Sequence, residues 1–241
     1  MGKRIISQRR GRGTSTYRAH SFNYKGMVSH RIYDQIEQEG VVSGKILDIM
    51  HCPGHSAPLA LIEYENKERV LTLACKGMNT KQIVQSGSKA EPLLGNTVPI
   101  SSVEIGTEIF NIENSTGDGG KYVKAAGGSA KVVSKSDKKV KIKFASKKFK
   151  EITNTCRVTI GVIASTGKTD KPFVKAGNRY YAMKARNKLW PKTSGVAMNS
   201  VDHPFGSGRG RHIGKSKVAP RNAPPGRKVG PIRARRLGKK K

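Results

Sequence analysis

Lys139-Val140-Lys141-Ile142-Lys143-Phe144 alternates a cation with an apolar side chain through six residues. Successive side chains of an extended chain point to opposite faces, so this string puts Val140, Ile142 and Phe144 on one side and three ammonium groups on the other. A half-buried strand is the only regular structure that uses such a pattern. The same period of two recurs in short runs at 41–49, 59–64, 69–75, 107–113, 130–134 and 157–164, bounded by Gly, Pro and Asn. Only 32–38 and 180–187 read as helical, and neither is long enough to cover a parallel sheet. Seven short strands predict a mostly β chain built from small barrels. The run 85–96, with Gly87, Pro92 and Gly95, reads as a hinge region between two such bodies.

Charge is the second strong signal. The chain has 241 residues and carries 47 Lys plus Arg against 16 Asp plus Glu, a formal net charge of +31. Self-repulsion on this scale opposes compaction, so the native state calls for a polyanion beside it. Residues 1–33 hold eight basic residues and no acid, and residues 184–241 hold 17 against Asp202 alone. The middle, 34–183, has 22 basic and 15 acidic residues. Within it, 34–83 is slightly acidic and 84–183 carries 17 basic side chains against eight acidic, so the second body is the expected nucleic-acid face. The ends are rich in Gly, Pro and Ser, as in Arg9-Arg10-Gly11-Arg12-Gly13 and Ala223-Pro224-Pro225-Gly226-Arg227-Lys228. Alone they are expected to be irregular and to order against RNA.

Several classes are disfavoured. A membrane partner would need a long apolar run or a basic amphipathic helix, and neither is present. The first residues are charged with no apolar segment behind them, so no secretory signal is expected. Three widely spaced cysteines, Cys52, Cys75 and Cys156, suit reduced thiols in a cytoplasm better than a disulfide framework. His51-Cys52-Pro53-Gly54-His55 could in principle offer zinc ligands. A structural zinc needs four, and the other cysteines stand alone, so the string is read as a strand-ending turn and no zinc is expected. Magnesium, where bound, would belong to the RNA. Asp202 and His203 invite an acid/base reading. Chain neighbours rarely orient each other as a carboxylate and imidazole must, and no nucleophile accompanies them, so no catalysis is expected.

One string identifies a family. Gly195-Val196-Ala197-Met198-Asn199-Ser200-Val201-Asp202-His203-Pro204-Phe205-Gly206, followed by Ser207-Gly208-Arg209-Gly210-Arg211, resembles the signature of the ribosomal protein L-two family. The resemblance extends to Gly2-Lys3-Arg4-Ile5-Ile6-Ser7-Gln8, Asp48-Ile49-Met50-His51-Cys52-Pro53-Gly54, Ala57-Pro58-Leu59-Ala60, Gly95-Asn96-Thr97-Val98-Pro99-Ile100 and Cys156-Arg157-Val158-Thr159-Ile160-Gly161, in the family's order. Asp170-Lys171-Pro172, Lys188-Leu189-Trp190-Pro191 and the run from Ala223 to Gly230 look like the archaeal and eukaryotic branch, with an archaeal source preferred. Ser200 stands where the family usually has Pro, Ser207 where Gly is usual, and Cys52 where archaeal and eukaryotic relatives carry Asp.

The resemblance implies an OB-fold followed by an SH3-like barrel, both seated on large-subunit ribosomal RNA, with the C-terminal extension reaching toward the peptidyl-transferase region. It implies a structural and assembly role in the cytoplasmic ribosome, other large-subunit proteins as neighbours, and a contact with the small subunit. The organisation expected is a basic extension over 1–33, the OB-fold over 34–83, the SH3-like barrel over 84–183 and a basic extension over 184–241. RNA-binding residues are expected at Arg9, Arg10 and Arg12; at Lys121, Lys124 and Arg157; and at Lys184, Arg186, Lys188, Trp190, Asn199, His203, Arg209, Arg211, Lys215, Arg227, Lys228, Arg235 and Arg236. Gly206, Gly208 and Gly210 are expected to let backbone N–H groups approach phosphates. Trp190, Phe205 and Arg227 are candidate platforms for unstacked bases, with ordinary packing an equal reading for the two aromatics. A free nucleic-acid chaperone using the same modules is the competing function.

Overall fold

The computed structural model describes residues 2–208 and 212–232. Two compact units divide the chain: one spans Ser21–Val174, and the other joins the N-terminal twenty residues to the stretch from Lys175 onward.

The first unit is mostly β. Its strands are β1 (Val41–Met50), β2 (Leu59–Tyr64), β3 (Arg69–Leu73), β4 (Ile83–Gly87), β5 (Thr97–Pro99), β6 (Glu108–Phe110), β7 (Ala130–Lys135), β8 (Lys139–Phe144), β9 (Phe149–Thr153) and β10 (Arg157–Ile160). They form one hydrogen-bonded order, β3-β2-β1-β4-β5-β10-β6-β7-β8-β9. Strands β1 to β4 make the OB-type body and β5 to β10 the SH3-like body. A single parallel pairing, Ser86 with Thr97, joins them, and every other pairing between strands is antiparallel.

Each body has its own apolar core. Ile46, Leu59, Ile62, Tyr64, Leu73 and Val84 fill the first, joined by Phe110 of β6 and by Ile163. Val98, Ile109, Ile112, Val140, Ile142 and Val158 fill the second. Burying such a side chain contributes about 1.5–3 kcal/mol, which is why the alternating pattern fixes register. In β8, Val140 and Ile142 are buried while Lys139, Lys141 and Lys143 are exposed, as the opening string requires. Strands β1 and β7 each carry a bulge, between Ile46 and Asp48 and between Val132 and Ser134. At each bulge one apolar residue, Leu47 or Val133, is exposed.

Three strands have no counterpart in the sequence pattern: β4, β5 and β9. The stretch read as a hinge, 85–96, begins inside β4, because Ser86 and Gly87 are buried by pairing with β1. The expected helix at 32–38 appears as α2 (Gln35–Glu39), displaced because the Asp34 side chain caps it by accepting from the Glu37 N–H at 3.0 Å.

The second unit contains α1 (Ile6–Gly11) and α3 (Ala176–Ala185) together with short 3-10 turns and irregular chain. Among its described residues only Ala219 is buried.

Candidate nucleic-acid interface

The unit formed by the two chain ends carries 25 of the 47 Lys and Arg and one of the 16 acids, leaving 22 basic and 15 acidic residues in the other unit. Its backbone is shaped locally. Helix α3 ends in a left-handed Asn187, with the Lys188 N–H bonded to the Met183 carbonyl at 2.9 Å and the Asn187 N–H to that of Lys184 at 3.0 Å. This is the helix stop that a left-handed residue makes, and it sends Leu189 and Trp190 back along the helix. Arg10, at the end of α1, donates from Nη2 to the Asn187 carbonyl at 2.9 Å. A guanidinium beside a helix C-terminus is favoured by the carbonyl dipoles there. Arg9 and Arg12 are exposed on α1 and just beyond it.

The signature string folds into a closed loop. Asp202 and His203 donate their N–H groups to the Asn199 carbonyl, Gly206 to that of His203, and Ser207 to that of Met198. A Cβ on Gly206 would lie 2.3 Å from the Asn199 carbonyl oxygen, and one on Gly195 would lie 2.3 Å from the His203 ring. Both positions therefore require glycine for close approach within the loop itself. For Gly206 this corrects the expectation of an approach to phosphate. Gly208 has open space around the same position, and Gly210 lies outside the described residues. Ser207 adopts φ 72°, the conformation that favours the glycine usual in the family.

His203 is held in one orientation. The Phe205 N–H donates to its Nδ1 at 3.1 Å, and the Phe205 ring lies 5.1 Å away. Nδ1 thus accepts, so the neutral ring carries its proton on Nε2 and offers it as a fixed donor. Asn199 beside it is exposed. Lys215 reaches the Pro204 carbonyl at 3.5 Å, and Arg227 and Lys228 are exposed, as is Arg186, while Lys184 and Trp190 are half-buried and Lys188 exposed. Arg209, Arg211, Arg235 and Arg236 lie outside the described residues.

In the β unit the expected residues separate. Lys121 is exposed. Lys124 is half-buried, donating from Nζ to the Val28 carbonyl at 2.8 Å and to that of Gly120 at 3.2 Å. Burial, and then Lys121, lowers its pKa. Arg157 is only 2% exposed and does not face solvent at all. Strand β10 is paired along both edges, by β5 and β6, and all four of its residues are buried, so both of its faces are covered as well. The Arg157 guanidinium meets Glu113 Oε1 at 2.8 Å, Glu37 Oε1 at 3.0 Å and the Arg31 carbonyl at 2.8 Å. This corrects the expectation of an RNA contact there: each of the three guanidinium nitrogens of Arg157 is bonded inside the protein.

That cluster was invisible in the sequence. Glu37 and Glu113 are both fully buried. Glu37 also accepts from Ser86 Oγ and from Arg31 at 3.3 Å, and Glu113 from the N–H groups of Gly117, Gly119 and Arg157. Arg31 in turn binds Asp34 and lies 2.9 Å from Glu68. Its hydrogen bond holds the Asp34 carboxyl down to about 2. Buried ions paired in this way fix geometry, since losing any partner strands a charge. They tie α2, β4 and the segment before α2 to β10.

The sequence pattern placed the β8 ammonium groups on one face but not β9, which sets an aromatic ring among them. Phe149, half exposed, has Lys141 Nζ 5.2 Å and Lys143 Nζ 5.9 Å from its ring centroid. The register Lys143 opposite Phe149 produces this, and only the pairing reveals it. Cys52 is fully buried, its Sγ 3.2 Å from His55 Nδ1 and accepting from the Lys25 N–H. Among the described residues no three His, Cys, Asp or Glu side chains come together to hold a metal, and no helix is long and apolar enough to cross a membrane.

Comparison with known proteins agrees with this geometry. Residues 2–86 match the family described as Ribosomal Proteins L2, RNA binding N-terminal domain, and residues 93–223 match Ribosomal Proteins L2, C-terminal domain. The Large ribosomal subunit protein uL2 of Methanothermobacter thermautotrophicus is 48% identical over 241 residues, covering all of both chains. That of Methanocaldococcus jannaschii is 48% identical over 242 residues, again with complete coverage of both. That of Haloarcula marismortui is 48% identical over 239 residues, 99% of this chain and 98% of the relative. Matched over most of its length by the two domain models and over all of it by archaeal relatives, the chain belongs to the ribosomal L2 family in its archaeal form.

Proposed function

We propose that this chain is a structural, non-enzymatic constituent of the large ribosomal subunit in the cytoplasm, binding ribosomal RNA and supporting subunit assembly, subunit association and the architecture of the peptidyl-transferase region. The observation that carries the reading is the segregation of charge: one unit with 25 basic residues and a single acid, almost without a core, beside a β unit with a complete one. A surface of that kind neutralises phosphates, and its ordering entropy is offset by the contacts and counterion release that follow. The positioned Nε2–H of His203, supported on Gly195, suits an RNA acceptor. Magnesium in this reading bridges RNA phosphates rather than protein ligands. Neighbouring large-subunit proteins and the small subunit meet what RNA leaves open, and the exposed β8–β9 face is the part of the β unit suited to them.

Sedimentation of native lysate tests this. The protein is expected to be stoichiometric with large subunits and to stay there through moderate salt. A mostly free pool, or one on DNA, refutes the reading and favours a nucleic-acid chaperone. Removing residues 184–241 is expected to block assembly of active subunits while the strands of the β unit stay folded.

A further inference from the structure

The turn after α3 builds a cleft that no phosphate-neutralising role requires. It has a volume of about 160 Å³ and is lined by Arg10, Tyr17, Arg18, Tyr180, Lys184 and Trp190, among others, with no acidic residue on its wall. Lys184 Nζ lies 6.0 Å from the Tyr180 ring centroid, one helical turn away, and the Arg179 guanidinium lies 5.3 Å from that of Trp190. Arg10 holds the N-terminal segment to the helix end through Asn187, which fixes the walls relative to one another. Three aromatic rings, those of Tyr17, Tyr180 and Trp190, and four cations, Arg10, Arg18, Lys184 and Lys188, thus line one small concavity.

That combination selects a ligand class. No carboxylate or thiolate is present to hold a metal ion. An acidic peptide would satisfy the cations and leave the rings unused. A planar, electron-rich ring with an anion on either side satisfies both. The volume is well below the roughly 300 Å³ at which drug-sized sites begin, so the space suits a single ring system rather than a stacked pair. A base inside a helix is covered on both faces and cannot enter, whereas a bulged or looped-out base can.

We propose that this cleft receives one unstacked RNA base against Trp190 and Tyr180, with its flanking phosphates on Arg18 and Lys184. The proposal rests on the RNA-binding reading above and deepens it. It makes the chain end a reader of RNA shape at one nucleotide, in addition to a source of charge.

Trp190 is the single tryptophan of the chain, so its fluorescence reports this cleft alone. The full-length protein is titrated with an RNA hairpin bearing one bulged purine and with the same hairpin fully paired. The bulged hairpin is expected to quench Trp190 and to bind about tenfold more tightly, the size of one base-stacking contact. Tyr180→Leu should erase that preference while leaving affinity for the paired hairpin and the salt slope unchanged; Tyr180→Phe should retain it. Equal binding and equal quenching by the two hairpins would overturn the cleft assignment and leave RNA binding standing. So would a Tyr180→Leu variant that loses both hairpins alike. Failure to bind either hairpin or the large-subunit transcript would overturn both readings.

Discussion

Replacing Arg157 with Met removes a cation that touches two fully buried carboxylates. The side chain keeps its volume and loses its contacts at 2.8 Å to Glu113, 3.0 Å to Glu37 and 2.8 Å to the Arg31 carbonyl. The two acids are not affected equally. Glu37 retains Arg31 and Ser86, whereas Glu113 is left with backbone N–H groups alone. Removing one partner of a buried ion pair costs about 3–5 kcal/mol, because the remaining charge cannot return to water. Against a typical total of about 5–15 kcal/mol, that is a large share of the stability. At about 2–4 °C per kcal/mol for a body of this size, the thermal midpoint should fall by about 6–20 °C. Circular dichroism of the full-length chain follows it. Arg157→Met combined with Glu113→Gln should recover part of the loss, since the stranded charge is gone. RNA affinity measured well below the midpoint should keep its salt slope, because a phosphate contact would contribute about one unit to it. A midpoint unchanged within 2 °C together with a slope reduced by one would refute the buried assignment of Arg157.

Acid should weaken the β unit before carboxylates titrate. His30 donates from Nε2 to the Asn111 carbonyl at 2.6 Å and faces Arg157, Glu113 and Lys124; burial, then Arg157, lowers its pKa from 6.5 to about 4. Between those values the unfolded chain holds a proton that the folded one excludes, so stability falls with pH, by about 3 kcal/mol at pH 4. Urea midpoints at pH 7, 5 and 4 check it: His30→Gln should show a shallower dependence, and identical slopes would contradict the claim. Asp34, held down to about 2, adds its own loss only below its ordinary value of 3.8. Gly195→Ala should displace the His203 ring, visible as a shifted imidazole resonance and weaker RNA binding. Gly177→Ala, on α3 with open space around it, should instead stabilise that helix by about 0.5–1 kcal/mol. Hydrogen exchange of the free protein should find β1 to β10 protected and residues 2–20 and 175–208 largely open, with the latter closing on RNA.

Sequence reading succeeded where one periodic rule decided the outcome. The alternation over 139–144 has no other structural use, and the strand and its buried face match it residue for residue. Strands β4, β5 and β9 have three to five residues, too few for a local period to mark them; β4 and β5 also pair with distant strands, β1 and β10, whereas β9 forms a hairpin with β8. The ion cluster is the sharper lesson. In α2 the apolar Ile36 is 62% exposed and the neighbouring Glu37 is fully buried, the reverse of any hydropathy rule. What decides is a distant partner, Arg157, 120 residues on. The local pattern pointed the other way: Arg157 and Thr159 alternate with Val158 and Ile160, as on a half-buried strand, although all four residues are buried. In the signature loop, the string itself marked His203, but not that Gly195 exists to seat its ring.

The two units solve opposite physical problems with one chain. The β unit closes its core and neutralises its buried charge internally, so its fold depends on contacts it already contains. The other unit has one buried residue among those described and +24 of the net charge of +31. Ordering its backbone costs about 1–2 kcal/mol per residue, and apolar burial on that scale cannot offset it. Its order must therefore be linked to a ligand that binds the folded form, and the stabilisation grows with ligand affinity. Since the charge is positive and spread over both chain ends, that ligand is a polyanion with folded contour, which duplex charge alone does not supply. A folded RNA offers both phosphate density and unstacked bases. The same feature that leaves these ends without a core lets them take the shape of the RNA they enter.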